Sequence, residues 1–174
     1  MTKNQESIIS KIIHDGGRFL LIIIGFSLLV DGIALPSFLN QREKKAKQSE
    51  AEQYVGSMNK AQQAYFAEKS AFATSVDALG IGIKTETINY KYSVRSTKQA
   101  AFNYGVSQQK KLKSYVGAVF AVPDKEVEPN AAKDEISTIR IFCQADDPGT
   151  IKPADPTYKN GKIACGQGTT EVTK

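Results

Sequence analysis

The stretch from Phe19 to Leu39 limits what this chain can become more than any other part of it. It opens with Phe-Leu-Leu-Ile-Ile-Ile-Gly-Phe-Ser-Leu-Leu-Val to Val30 and continues Asp31-Gly-Ile-Ala-Leu-Pro-Ser-Phe-Leu. The first part alone is too short to cross roughly 30 Å of hydrocarbon at about 1.5 Å per residue, whereas the whole stretch to Leu39 is long enough. Asp31 is its one charged residue. Near the centre of a span it costs about 2.5 to 3.5 kcal/mol, which a partner charge, an interfacial position or a local water defect must offset.

Three arrangements accommodate such a stretch. In a secretory signal peptide, Lys3, Lys11 and Arg18 form the basic start and Gly32-Ile33-Ala34 a small-x-small cleavage site. In a soluble protein, it is a buried core helix. In a membrane protein, it is an anchor, and the anchor is favoured because the chain beyond Pro36 continues as a helix. Lysines and arginines flank it on both sides, so the positive-inside rule does not set its orientation.

From Asn40 to about Lys69 there is no Pro and only Gly56, and good helix formers dominate. Ala51, Tyr54, Val55, Met58, Ala61, Ala64 and Tyr65 recur at helical spacing and form one apolar stripe that needs a surface to cover it. Arg42, Lys44, Lys45 and Lys47 precede it, either as partners of anionic headgroups or as a solvated helix face. Ala73 to Gly80 reads as a short helical turn with Ser75 as cap and Gly80 as stop.

Beyond that turn the period changes from 3.6 to 2. Ile88, Tyr90, Tyr92 and Val94 alternate with polar residues, as do Phe102, Tyr104 and Val106. Ser114 to Val122 is a more continuously apolar strand, and Thr138 to Gln144 is another. Short polar connections favour antiparallel pairing. The expectation is one helix packed across a small antiparallel sheet. Asp146 to Gly161, with Pro148, Pro153 and Pro156, reads as a loop, and Lys162 to Cys165 as a short edge strand.

A chain of 174 residues, 41% hydrophobic and 24% charged, suits one ordinary domain. Its charge is polarised: residues 81–122 carry seven basic residues against the single acid Glu86. Lys91, Arg95, Lys98 and the run Lys110-Lys111-Leu112-Lys113, interleaved with Tyr90, Tyr92, Tyr104 and Tyr115, admit two readings. They form a basic aromatic surface for DNA or polysaccharide, or the tyrosines turn into the core and the lysines keep a sheet edge soluble.

The chemistry-bearing residues are few. Cys143 and Cys165 form no C-x-x-C pair, and with His14 as the one histidine they do not make a zinc site. In an oxidising compartment they form a structural disulfide, and in a reducing one they stay free thiols. His14 has no nucleophile beside it, so no catalytic residue is assigned. Gly80-Ile-Gly82 and Gly166-Gln-Gly168 lack the context of a phosphate loop. Asp146, Asp147 and Asp155 are hydrated loop acids or weak divalent ligands. No cofactor and no metal site is expected.

The order of parts resembles the type IV pilins and the related general secretion pathway pseudopilins, and most of all the cyanobacterial G/H-family pilin-like proteins. The resemblance rests on Gly32-Ile-Ala-Leu-Pro-Ser-Phe-Leu-Asn-Gln41, Lys45-Ala-Lys-Gln-Ser-Glu-Ala51, Tyr54 to Tyr65, Leu79-Gly-Ile-Gly-Ile83 and the terminal cysteine loop. It implies an α+β fold: a long N-terminal helix, half membrane anchor and half amphipathic, packed on an antiparallel sheet of about four strands with a disulfide-closed C-terminal loop. The corresponding divisions are residues 1–18 as a leader-like segment, 19–39 as the transmembrane and assembly helix, 40–72 as the amphipathic helix, and 73–174 as the sheet domain.

The resemblance further implies a non-enzymatic structural subunit that associates with other pilin-like subunits through its N-terminal helix. Such a subunit sits in the inner membrane by a single pass, its C-terminal domain periplasmic or extracellular, and enters a pilus. Pro36 matches the family's helix-kinking proline, as its missing N–H and its ring predict. A prepilin peptidase is the implied processing partner, with Gly25 and Phe26 flanking the cleaved bond. The match there is partial: the family's glutamate at the fifth mature position is replaced by Val30, and Asp31 follows at the sixth. Phe26 also lies at about half the family's distance from Pro36. Counted without gaps from Pro36, the mature start falls instead at Asp15, after His14. The resemblance therefore implies an atypical subunit: an uncleaved membrane protein, a minor pilin, or a degenerate copy that does not assemble.

Overall fold

The computed structural model describes residues 38–126 and 136–172. Gly25, Phe26, Pro36 and nearly all of the apolar stretch lie outside them. The chain divides into Met1–Glu43 and Lys44–Lys174. In the first unit, residues 38–43 are helical and exposed, with the Arg42 guanidinium 4.6 Å from the centre of the Phe38 ring. The remaining description concerns the second unit.

Helix α1 runs over residues 38–69. It ends where Ser70 takes a left-handed conformation (φ 53°) and donates its N–H to the Phe66 carbonyl at 2.8 Å. A 3-10 turn, Asp77–Leu79, follows; Ser75 Oγ accepts the Ala78 N–H at 3.1 Å and Gly80 closes the turn. Seven strands come next: β1 Tyr90–Ser96, β2 Ala100–Ser107, β3 Lys113–Pro123, β4 Ile136–Pro148, β5 Thr157–Lys159, β6 Lys162–Ala164 and β7 Thr169–Glu171. Five of them form an antiparallel sheet in the order β1-β2-β3-β4-β7, and β5 and β6 form a separate hairpin.

One face of the sheet takes the helix. Ala51, Val55, Met58, Asn59 and Gln62 are buried along α1, and Tyr90, Tyr92, Tyr115 and Leu112 meet them together with Ala73, Val76 and Leu79. The opposite face, built of Ala100, Phe102, Tyr104, Val116, Ala118, Phe120, Val122, Ile141 and Cys143, is covered by Tyr158, Ile163 and Cys165 of the C-terminal region. Strands β2 and β3 are therefore buried on both sides, while β1 alternates buried and exposed residues in its first half.

Four details differ from the sequence expectation: Ile88, read as an inward position of the first strand, precedes β1 and is 84% exposed, and three more concern the other elements. Lys162–Ala164 does not join the main sheet; it pairs with Thr157–Lys159 inside the stretch read as a loop, and the edge strand is β7. Strand β4 runs on to Pro148, where Pro148 pairs with Lys113. Ala64 is exposed, because the helix stripe rotates toward Asn59 and Gln62, which have polar partners on the sheet side.

Among the described residues no helix is long and apolar enough to cross a membrane.

Candidate functional site

The feature on which any role of this chain turns is how α1 is held. Besides its apolar packing on the sheet, the helix is held by polar groups at successive levels. Near its start, Gln48 donates to the Tyr115 hydroxyl at 3.3 Å and accepts the Lys113 N–H at 3.4 Å. The Glu50 carboxylate accepts from the Thr87 hydroxyl at 2.7 Å, the Tyr92 hydroxyl at 3.0 Å and Asn89 Nδ2 at 3.1 Å. Three donors on one carboxylate give charge-assisted bonds and a single orientation.

At mid-length, Asn59 lies directly over Gly117 of β3. Its Nδ2 donates to the Ile141 carbonyl at 2.9 Å, and its Oδ1 accepts from Asn103 Nδ2 at 2.8 Å. Gly117 is required there: a Cβ would stand within 2.6 Å of the Asn59 amide carbon. Further on, Gln62 forms a reciprocal pair with the backbone of Ala73, at 3.1 and 2.9 Å. Gln63 donates to the Thr138 carbonyl at 3.2 Å and accepts from Arg140 at 3.0 Å.

The tyrosines beneath the helix are clamps, not reactive groups. Tyr90 donates to the Lys113 carbonyl at 3.1 Å and Tyr115 to Glu52 at 3.2 Å. Burial, followed by the neighbouring carboxylates and phenols, pushes the hydroxyls of Tyr90, Tyr92 and Tyr115 well above the ordinary tyrosine range.

On the opposite face, Cys143 of β4 and Cys165 are joined by a disulfide. The loop it closes is also held by charge. Asp155 accepts from both the Tyr104 hydroxyl and the Arg95 guanidinium, and Lys152 Nζ lies 3.7 Å from the centre of the Tyr104 ring. Burial first, and the bond to Asp155 next, push the Tyr104 hydroxyl up to about 12.

The basic residues singled out in the sequence do not form one patch. Lys110 and Lys111 are exposed on the β2–β3 turn, and Lys113 is half-buried beside them. Lys91 is exposed on β1 opposite Val106. Arg95 lies four residues farther along, its guanidinium on Asp155 and 4.2 Å from the centre of the Phe102 ring. Tyr90, Tyr92, Tyr104 and Tyr115 all face inward and offer no stacking surface.

A cleft of about 550 Å³ runs between α1 and the β4–β7 edge, lined by Glu52, Lys60, Arg140 and Glu171 among others. It carries both signs of charge and no nucleophile paired with a base. Among the described residues no cluster of His, Cys, Asp and Glu is placed to hold a metal.

Sequence reasoning missed Asn59, Asn103, Gln62 and Gln63, the groups that set helix position. The one signal available was glutamine and asparagine recurring at helical spacing beside the apolar stripe.

A family model described as type IV pilin-like G and H matches residues 48–166. The matched stretch begins at Gln48, where the sheet first grips the helix, and ends just past Cys165. No curated protein and no solved structure matches the chain.

Proposed function

The chain belongs to the type IV pilin-like G and H family, and on that premise we propose that it is a minor pilin or pseudopilin: a non-enzymatic subunit held in the inner membrane by residues 19–39. It associates with other pilin-like subunits through its N-terminal helix and carries its disulfide-closed domain in the periplasm or outside the cell. The observation that carries this reading is the polar pinning of α1 along its length from Gln48 to Gln63. A subunit that joins others through a helix must transmit force from that helix to its domain without slipping. Fixed polar contacts at four levels meet that need; a simple surface-binding domain has no use for them. Residues 38–46, which no strand covers, are exposed.

The test is the compartment and N-terminus of the native chain, by intact mass of membrane, secreted and sheared-filament fractions. Retention in membranes or filaments after alkaline carbonate washing, with Cys143 and Cys165 joined, is expected. A start at Phe26 marks processing by a prepilin peptidase, and a full-length chain marks an uncleaved anchor. A wholly soluble product beginning at Leu35 refutes the reading. The rival function, binding of DNA or polysaccharide through Lys91, Arg95, Lys110, Lys111 and Lys113, predicts salt-sensitive affinity that Lys110→Ala and Lys111→Ala abolish.

A further inference from the structure

The end of the domain at which α1 meets the sheet is assembled from three separate stretches of chain. The β2–β3 turn lies level with Gln48, which bonds the Lys113 N–H and the Tyr115 hydroxyl. On one side of the turn is the bend that precedes β1: the Gln108 N–H donates to the Asn89 carbonyl at 2.8 Å and Gln109 Nε2 to Asn89 Oδ1 at 2.7 Å. On the other side is the beginning of the disulfide-closed loop, where the Gly149 N–H donates to the Leu112 carbonyl at 2.9 Å.

These well-bonded turns hold unusual tips in solvent. Ile88 is 84% exposed and Ile151 82%, the two most exposed large apolar side chains among the described residues. Lys110 and Lys111 stand exposed on the turn between their stretches, and Lys44 and Lys45 are exposed on the adjoining start of α1. Acids stand at this end too: Glu50 accepts from Thr87 and Asn89 on either side of Ile88, Glu86 is exposed two residues before it, and Asp146 and Asp147 lie on β4, where Asp146 accepts the Thr170 hydroxyl at 2.6 Å. Glu50 is taken up by its three donors, and exposed Lys91 and Lys152 stand beside Glu86 and Ile151, so the tips themselves are edged by lysines. Thr87 and Asn89 make the bend's hydrogen bonds, so the fold itself has no use for an apolar residue at position 88.

Isoleucines flanked by lysines suit the boundary of an anionic lipid layer, where ammonium groups meet phosphates and aliphatic groups enter the acyl margin. Connectivity brings such a layer within reach: Lys44 follows Leu39 by five residues, which span at most ~18 Å fully extended. DNA explains the lysines but gives the isoleucines no role. We propose that this end of the domain rests on an anionic phospholipid surface, with Lys110 and Lys111 at the headgroups and Ile88 and Ile151 in the interface. The inference rests on the membrane anchoring put forward above.

The chain contains no tryptophan, so Ile88→Trp and Ile151→Trp each install a single reporter. The full chain carrying either one is reconstituted into vesicles of phosphatidylcholine, with or without phosphatidylglycerol. Emission is expected to move to shorter wavelength and to be quenched by brominated lipid in the anionic vesicles, and much less in neutral ones. Lys110→Glu with Lys111→Glu should abolish the shift while the chain stays embedded, since each lysine strengthens attachment to an anionic surface roughly fivefold. A reporter that stays in water in anionic vesicles, in a chain that resists carbonate extraction, overturns the proposal and leaves the anchoring intact. A chain that carbonate extracts overturns both. A shift produced by duplex DNA and not by anionic lipid assigns the surface to nucleic acid and overturns the proposal as well.

Discussion

Replacing Gly117 by alanine tests whether α1 is set by its polar contacts or merely by apolar packing. The new methyl group would stand within 2.6 Å of the Asn59 amide carbon, about 1 Å inside ordinary contact. Asn59 is 2% exposed and the sheet beneath it is continuous, so the side chain has to leave. Leaving breaks the bonds to the Ile141 carbonyl and to Asn103 Nδ2, and Asn103 already has an Oδ1 without a partner. Overpacking a strand interior costs about 1 to 3 kcal/mol and each newly unmet buried group about 1 to 3 more. A loss of at least about 3 kcal/mol, the sum of the lower ends of these terms, is expected, a large share of what holds a domain of this size together. The assay is urea unfolding of the detergent-solubilised full chain, followed by the near-ultraviolet circular dichroism of its tyrosines. Asn59→Ala alone should cost about 2 to 4 kcal/mol, and adding Gly117→Ala to it little more, since the methyl then has room. A Gly117→Ala chain within about 0.5 kcal/mol of the parent, or strictly additive costs in the pair, refutes the argument.

Two further outcomes follow from the same geometry. The hydroxyls of Tyr90, Tyr92, Tyr104 and Tyr115 ionise in the folded chain only above their unfolded value near 10, so their contribution is complete below pH ~10 and lost as pH rises through the higher folded values. Stability should be level from pH 7 to 9 and then fall by about 1.4 kcal/mol per pH unit for each tyrosine that ionises on unfolding; tyrosinate absorbance near pH 10 from more than three of the chain's seven tyrosines, without unfolding, counts against it. Removing the bridge by Cys143→Ala with Cys165→Ala should cost about 3 kcal/mol in the chain-entropy account of its loop and speed proteolysis between residues 149 and 166, and an unchanged melting temperature would rule that account out.

The helix, the turn at Ser75 to Gly80 and the first four strands were legible because each depends on a local period or a cap. Tyr90, Tyr92 and Tyr115 point inward as the alternation required. What escaped depends on partners distant in sequence. Thr169–Glu171 has no apolar pattern; it is a strand only because the β4 backbone from Cys143 to Ala145 lies beside it. Asn59 and Gln62 look like surface residues until Asn103, Gly117 and Ala73 are brought beneath them from other elements. The β5–β6 hairpin did carry a signal: Asn160 and Gly161 take φ values of 52° and 74°, the pair a tight hairpin turn demands. Three prolines in the surrounding stretch masked it. Lys91 and Arg95 lie on one side of β1, and Arg95 is taken up by Asp155 of the disulfide-closed loop, a pairing that spacing along the chain does not convey.

The disulfide-closed loop has a consequence for the timing of maturation. It is the lid on one whole face of the sheet, and Phe102, Phe120 and Val116 lie under it. While Cys143 and Cys165 are thiols, the loop is held by β4 at one end, by β7 at the other and by Asp155 on Tyr104 and Arg95, with no covalent tie across the face. The face under the lid is closed covalently only once the two cysteines have been oxidised, which makes the oxidant of the surroundings part of how this domain is finished.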